Sequence, residues 1–202
     1  YSGAIVATTD RAFSLMYTST GGRLRIFGGK FYSTYEGVRK GCLLGTSARS
    51  DLYSGYFYGG KVNAAGGCVA GYDSGEWCMF GGQLDGGDTT TNGGNLYVDK
   101  TSGFATITDG IISGGNASKG GNIYVNKGKL NINGGVITGG TAANGGNIYA
   151  HAGSTTKTDA DGNTKTYTPP AATSGSGSRT MYGNGNHNLS VADVDGDGAD
   201  EI

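Results

Sequence analysis

The densest group of side chains able to do chemistry stands near the end of the chain, in Asp193-Val194-Asp195-Gly196-Asp197-Gly198-Ala199-Asp200-Glu201. This D-x-D-x-D-G pattern places the carboxylates of Asp193, Asp195 and Asp197 where they can converge on a hard cation. The carbonyl of Ala199 and the carboxylate of Glu201 extend the set, and Gly198 allows the sharp turn. All these ligands are oxygens, so calcium is the expected ion. The bland alternative is an acidic surface turn that binds nothing. The bidentate Glu of an EF-hand would fall beyond Ile202, so the sequence does not test that form of the loop.

Other reactive residues are sparse. The three cysteines are Cys42, Cys68 and Cys78, and none forms a C-x2-C pair or stands beside a histidine, which argues against zinc. Cys42 and Cys68 are expected on neighbouring turns of a repeat, within disulfide reach, and also read as small buried apolar residues. The histidines, His151 and His187, lie outside the repeats described below. Asp85, Asp88, Asp99, Asp109, Lys100, Lys119, Lys127 and Lys129 are scattered, mostly beside glycines, and do not recur as an acid paired with a base. Neither Gly-x-Ser-x-Gly nor His-Glu-x-x-His occurs. No catalytic residue is assigned, and the one enzyme class the residues leave in view is a polysaccharide lyase.

Two residue types do recur in register. Asn95, Asn122 and Asn147 share one position of a repeated unit, and Cys42 and Cys68 are aligned with them on earlier copies. Stacked, they predict a structural ladder in which amides satisfy corner backbone groups and bond along the stack. Tyr97, Tyr124 and Tyr149 occupy the position two residues on. If the residues between point inward, these rings face outward, as a platform for sugar rings or a protein contact, or simply stacked on one another.

The elements that would position them are legible as a repeat. Gly-Gly-Asn-Leu/Ile-Tyr occurs at 93–97, 120–124 and 145–149, and decays upstream to Gly66-Gly67-Cys68-Val69 and Gly41-Cys42-Leu43-Leu44. Ser2-Gly3-Ala4-Ile5-Val6 reads as a sixth, more degenerate copy. A second unit alternates with the first: LRIFGGKF at 24–31, GYFYGGKV at 55–62, WCMFGGQL at 77–84, ATITDGII at 105–112 and LNINGGVI at 130–137. Each recurs about every 25 residues. Runs such as Leu130-Asn131-Ile132 alternate with the period of a half-buried strand, and the glycine pairs between them supply tight corners. A single turn cannot bury its own apolar face, so the stack of turns must be the core. The expected fold is all-β, a right-handed parallel β-helix with turns of about 25 residues over 1–150.

The composition fits. Forty-two of 202 residues are glycine, 13 are tyrosine, and the net charge is −1. Two prolines and no Gly-X-Y period exclude collagen. No apolar run is long enough for a membrane helix, and no basic patch points to nucleic acid. The sequence opens on Tyr1 with neither an initiator methionine nor a signal peptide, and reads as a processed or excised product. After Ala150 the composition shifts. Residues 151–179 read as a polar hairpin and linker, with turn chemistry at Asp159–Asn163, Pro169-Pro170 and a Ser-Gly run. Residues 180–202 form a tail carrying the calcium loop, read as a fragment of a further domain.

The repeats GGNIYV and INGGVITGG resemble the glycine-rich β-helices of secreted and surface bacterial proteins, the pectin-lyase-like group and its adhesin relatives. This resemblance covers roughly 1–150 and implies a bacterial extracellular or cell-surface location and a fold more than an activity. The stretch from Gly185 through VDGDGADEI resembles the calcium-binding blades of integrin-type propeller repeats and is similar to a segment of the family 11 rhamnogalacturonan lyases. That implies pectin-related ancestry or a severed neighbouring domain, and none of that family's catalytic residues falls on a position here. The expected function is a non-catalytic extracellular structural or adhesive module. Its partner is a polysaccharide, a surface, or another copy stacked end to end into filaments, since unpaired strand edges at a β-helix end invite pairing. The alternative is part of a calcium-dependent lyase cleaving pectin or rhamnogalacturonan by β-elimination.

Overall fold

The computed structural model describes residues 3–10, 13–99 and 103–151, together with the backbone of 155–158, 164–167 and 181–183. The fold is a parallel β-helix, and among the described residues no segment is helical. Each turn carries strands on three faces. The first face is a six-stranded parallel sheet made of Met16–Thr18, Leu44–Thr46, Val69–Gly71, Leu96–Val98, Ile123–Val125 and Ile148–Ala150. The second runs through residues 23–26 and 49–52, then Glu76–Met79, Phe104–Ile107 and Lys129–Ile132. The third runs through Ala4–Ala7, residues 30–33 and 56–62, Gln83–Thr89, Ile111–Ser113 and Gly135–Thr138.

The second repeated unit therefore spans two faces. In LRIFGGKF the strand Arg23–Ser33 bends at Phe27-Gly28-Gly29, with register shifts between Ile26, Phe27 and Lys30, and continues onto the next face. Two other expectations shift in register. Ala4–Ala7 pairs with residues 30–33 on the third face, so Ser2–Val6 is not a copy of the Gly-Gly-Asn unit; Met16–Thr18 supplies that sixth strand. In the copy at 55–62 the corner glycine is Gly55, preceded by Tyr53-Ser54, and Phe57 rather than Val62 joins the column of Phe31, Leu84, Ile112 and Ile137.

Period two then sorts the side chains. Leu44, Val69, Leu96 and Ile123 from the first face, Ile26, Leu52, Met79 and Ile107 from the second, and Phe31, Phe57, Leu84, Ile112 and Ile137 from the third form one buried core. Trp77 is buried in it, edge-on to Phe57 with 6.2 Å between ring centroids, and the small Ser50 and Ala105 stand above and below in its column. The glycine pairs are required by the close stacking of turns. Gly120 has φ +61°, and a Cβ on Gly121 would lie 2.0 Å from the carbonyl oxygen of Gly146 on the next turn.

Beyond the described coil the backbone of Thr155–Thr158 pairs antiparallel with Thr164–Tyr167. Met181–Gly183 lies antiparallel along Gly135–Ile137. The loop of Asp193, Asp195, Asp197, Ala199 and Glu201 lies outside the described residues.

Candidate functional site: the side-chain ladders

Stacking turns these sequence positions into columns, and the corner before the first face holds the most highly bonded one. Asn95, Asn122 and Asn147 are buried there. Asn95 Nδ2 donates to Asn122 Oδ1 at 2.7 Å, and Asn122 Nδ2 donates to Asn147 Oδ1 at 2.8 Å. Each Oδ1 also accepts a backbone N–H at 2.9 Å, from Gly87, Gly115 and Gly140 respectively. Spare amide hydrogens go to the Ser113 and Thr138 carbonyls. The amide matches this job because it donates and accepts at once, so one side chain ties its own turn to the next. Glycine at 115 is part of the design, since a Cβ there would come within 2.7 Å of Asn122 Oδ1.

One turn earlier Cys68 takes the same place and directs its thiol to Asn95 Oδ1 at 3.2 Å. Cys42 does not belong to the column. The register is set by the sheet: Leu44 pairs with Val69, and Leu44 N–H donates to the Cys68 carbonyl at 2.9 Å. Leu43 therefore aligns with Cys68, and the Cys42 sulfur instead meets the Ser14 hydroxyl at 2.9 Å. All three cysteines are buried free thiols, and burial pushes the Cys42 and Cys68 thiols above their ordinary range.

On the outer side of the first face, Tyr97, Tyr124 and Tyr149 stack with centroids 5.6 and 5.4 Å apart and planes within 8° and 7°. They are not an open platform. Tyr124 and Tyr149 are only 6% and 8% exposed, and Lys119 Nζ stands 5.3 Å from the Tyr149 ring centre. Glycine carbons of the corners pack against this column: a Cβ on Gly93 would lie 3.2 Å from Tyr124 Cβ. Tyr97 donates its hydroxyl to Asp99, and burial, then the Asp99 charge, pushes it up to about 12. The tyrosines thus act as a packed outer spine, and a sugar laid across them would meet little ring surface.

The exposed aromatic column is a different one, which the repeat reading passed over. Phe27, Tyr53 and Phe80 stand at the corner between the second and third faces, stacked at 4.7 and 4.9 Å with planes within 9° and 13°. They are 68%, 37% and 38% exposed. Its signal was an aromatic residue just before the corner glycines in LRIFGGKF and WCMFGGQL, hidden because Tyr53 fell outside the 55–62 frame.

Beyond that corner the third face carries a polar cluster spread over three turns. Tyr56 donates its hydroxyl to Asp85 Oδ2 at 2.9 Å, and Ser113 donates to Asp85 Oδ1 at 2.8 Å. Burial and the bond to Asp85 push the Tyr56 phenol up to about 12, so it is a donor at neutral pH and no base.

Several other charges are tied up locally. On the second face Asp51 is fully buried although it points outward, clamped by Arg23 at 2.6 Å and Arg49 at 2.8 Å. Burial alone would raise its carboxyl, but hydrogen bonds from both arginines hold it below the usual carboxylate range. Asn126 donates to Asp99, Asn116 to Asp88, and the Gly110 N–H to Asp109. His151 is exposed. Among the described residues no three His, Cys, Asp or Glu side chains gather to hold a metal. Among the described residues no helix is long and apolar enough to cross a membrane.

No family model matches the chain, and neither a curated protein nor a solved structure does.

Proposed function

We propose that the chain is a non-catalytic structural or adhesive module, extracellular and rod-like, that presents aligned side-chain columns to a surface or polysaccharide. The observation that carries this reading is the asparagine ladder with its flanking tyrosine spine. Both run from turn to turn and stiffen the coil, and the atoms that could react are spent on holding turns together. The carboxylates support it from the other side: Asp51 is neutralised by arginines and Asp85 is held by two hydroxyls, so neither is poised beside a base. The tail loop adds a calcium site, with Asp193, Asp195 and Asp197 as carboxylate ligands, Ala199 through its carbonyl, and Glu201.

Two experiments test this. The protein is incubated with rhamnogalacturonan and with polygalacturonate in calcium, and absorbance of unsaturated uronide is followed. No product is expected. Its release would make the chain part of a β-eliminating lyase. Calorimetric titration with calcium is expected to show binding that Asp193→Ala with Asp195→Ala abolishes; unchanged affinity in that variant would remove the calcium assignment.

A further inference from the structure

The asparagine ladder stops with its last donors unused. Each lower asparagine sends its Nδ2 hydrogens into the turn above: Asn95 to Asn122 Oδ1 and the Ser113 carbonyl, Asn122 to Asn147 Oδ1 and the Thr138 carbonyl. Asn147 is only 6% exposed, and among the described residues its Nδ2 meets no acceptor. The backbone is open at the same place. Leu96 N–H donates to the Asn122 carbonyl and Ile123 N–H to the Asn147 carbonyl, both at 2.8 Å, whereas Ile148–Ala150 is the last strand of its sheet. The core thins there too: Ile148 and Ile132 are only partly buried, while Ile123 and Ile107 beneath them are fully buried. A buried amide with unmet hydrogens is costly, so this end requires a strand that brings an acceptor to that rung and an apolar side chain beside it.

We propose that the occupant is this chain's own segment Asn188-Leu189-Ser190-Val191, laid parallel on Ile148–Ala150 as the closing rung. The segment lies outside the described residues, and its order matches the rungs below: Asn95-Leu96-Tyr97-Val98, Asn122-Ile123-Tyr124-Val125 and Asn147-Ile148-Tyr149-Ala150. In that register the Asn188 amide oxygen accepts from Asn147 Nδ2, its backbone carbonyl accepts from Ile148 N–H, and Leu189 covers Ile148 as Ile148 covers Ile123. The departures suit a last rung. Lower turns have glycine before the asparagine, because a Cβ at Gly94 or Gly121 would lie 2.1 or 2.0 Å from a carbonyl oxygen of the turn above. With no turn above, His187 fits in that place. The chain is also brought back to this end: Gly183 pairs with Gly135, and the five residues on to Asn188 reach about 17 Å, enough to cross a coil whose packed sheets stand about 10 Å apart. A second copy stacked end to end is the poorer occupant. Its lowest residue in this column is Leu15, one before Met16, which pairs with Leu44 as Leu44 pairs with Val69. A leucine side chain accepts nothing, so Asn147 Nδ2 would stay unmet. The calcium loop starts at Asp193, two residues past Val191, so the two assignments share no residue. The inference goes beyond the scaffold reading and rests on the ladder and its open end.

The test is disulfide trapping in the full chain. Ala150→Cys with Val191→Cys puts two thiols on the same side of neighbouring strands, within bridging distance for parallel rungs about 4.8 Å apart. Oxidation should give an intrachain bond, located by peptide mass mapping, in a band that runs as a monomer. The native cysteines are buried free thiols, and the parent chain is the control for them. Ala150→Cys with Ser190→Cys, one residue out of phase, should bridge about tenfold less, since alternate side chains leave opposite faces. Amide exchange supplies a second readout. Asn188→Leu should lower protection of the Ile148 N–H by about tenfold, the factor for one net hydrogen bond, whereas Asn188→Asp keeps the acceptor and should retain protection. The proposal is overturned if the in-phase pair does not bridge, if it bridges only between two copies, or if Asn188→Leu exchanges at Ile148 as the parent does. If the cysteine pair does not fold, the exchange arms decide alone. None of these failures touches the scaffold reading, which stands or falls on uronide release.

Discussion

Replacing Asn122 by alanine removes the middle rung of the ladder and should destabilise the coil far more than its size implies. The side chain makes four hydrogen bonds: it accepts from Asn95 Nδ2 and Gly115 N–H, and it donates to Thr138 O and Asn147 Oδ1. The losses are unequal. Asn95 keeps the Ser113 carbonyl, Asn147 keeps the Gly140 N–H, and the Thr138 carbonyl keeps the Gly114 N–H at 3.3 Å. Gly115 N–H is left buried with no acceptor, which is the expensive outcome. An orphaned buried donor plus the lost net bonds comes to about 3 kcal/mol. For a chain of this size that is a fall in melting temperature of about 6–12 °C. The assay is thermal unfolding by circular dichroism, with amide exchange to locate the damage, because a solenoid can open turn by turn. Protection should fall first at Gly115 and the turns holding Asn95 and Asn147. Asn131→Ala is the control: its amide is exposed and only 3.5 Å from the Thr106 hydroxyl, so its effect should stay within about 0.5 kcal/mol. An Asn122→Ala protein melting within about 1 °C of the parent would refute the reasoning, since the amide would then be only a space-filler.

Three further outcomes follow from the same geometry. Cys68→Asn, which would extend the ladder upward by replacing the thiol contact to Asn95 with an amide, should be neutral or stabilising by about 0.5–1 kcal/mol in a urea melt. Asp51 has a lowered carboxyl, so its contribution is complete above the ordinary carboxylate range and is lost as pH falls through the folded value; Asp51→Asn should flatten the acid limb of a melting-temperature profile. Tyr56 and Tyr97 are both raised to about 12, so the unfolded chain releases those protons first as pH rises above the ordinary phenol range; stability should decline from there up to about 12, and the absorbance titration should show late-ionising tyrosines that Tyr56→Phe and Tyr97→Phe reduce.

Much of the coil was legible from residue order. The alternation of Leu130-Asn131-Ile132 marks one inward-facing pair, the Gly-Gly-Asn unit marks a corner at a constant distance from an inward Leu or Ile, and the recurrence of both demands stacking. Where the reading slipped, it did so at corners of unequal length. Cys42 and Cys68 both follow glycine, which suggests one column, whereas the Leu44–Val69 pairing puts Leu43 beside Cys68. Val62 and Phe31 both follow a Gly-Gly-Lys run, which suggests one column, whereas the pair at Gly59-Gly60 lies within the long strand Arg49–Val62, past the bend at Gly55.

By itself, then, the sequence determined the architecture: parallel turns of nearly constant length, an apolar interior, and asparagines falling repeatedly at one corner. These depend on local rules, the two-residue alternation of strands and the backbone freedom of glycine, which act within a single turn. Only the tertiary structure decided how many faces a turn has, which side chain stands above which, and which columns meet water. Those depend on hydrogen bonds between residues some 25 positions apart, where a shift of one residue changes every neighbour in a column. That is why Tyr124 and Tyr149, outward by parity, are nonetheless buried, and why an exposed stack of rings forms at Phe27, Tyr53 and Phe80.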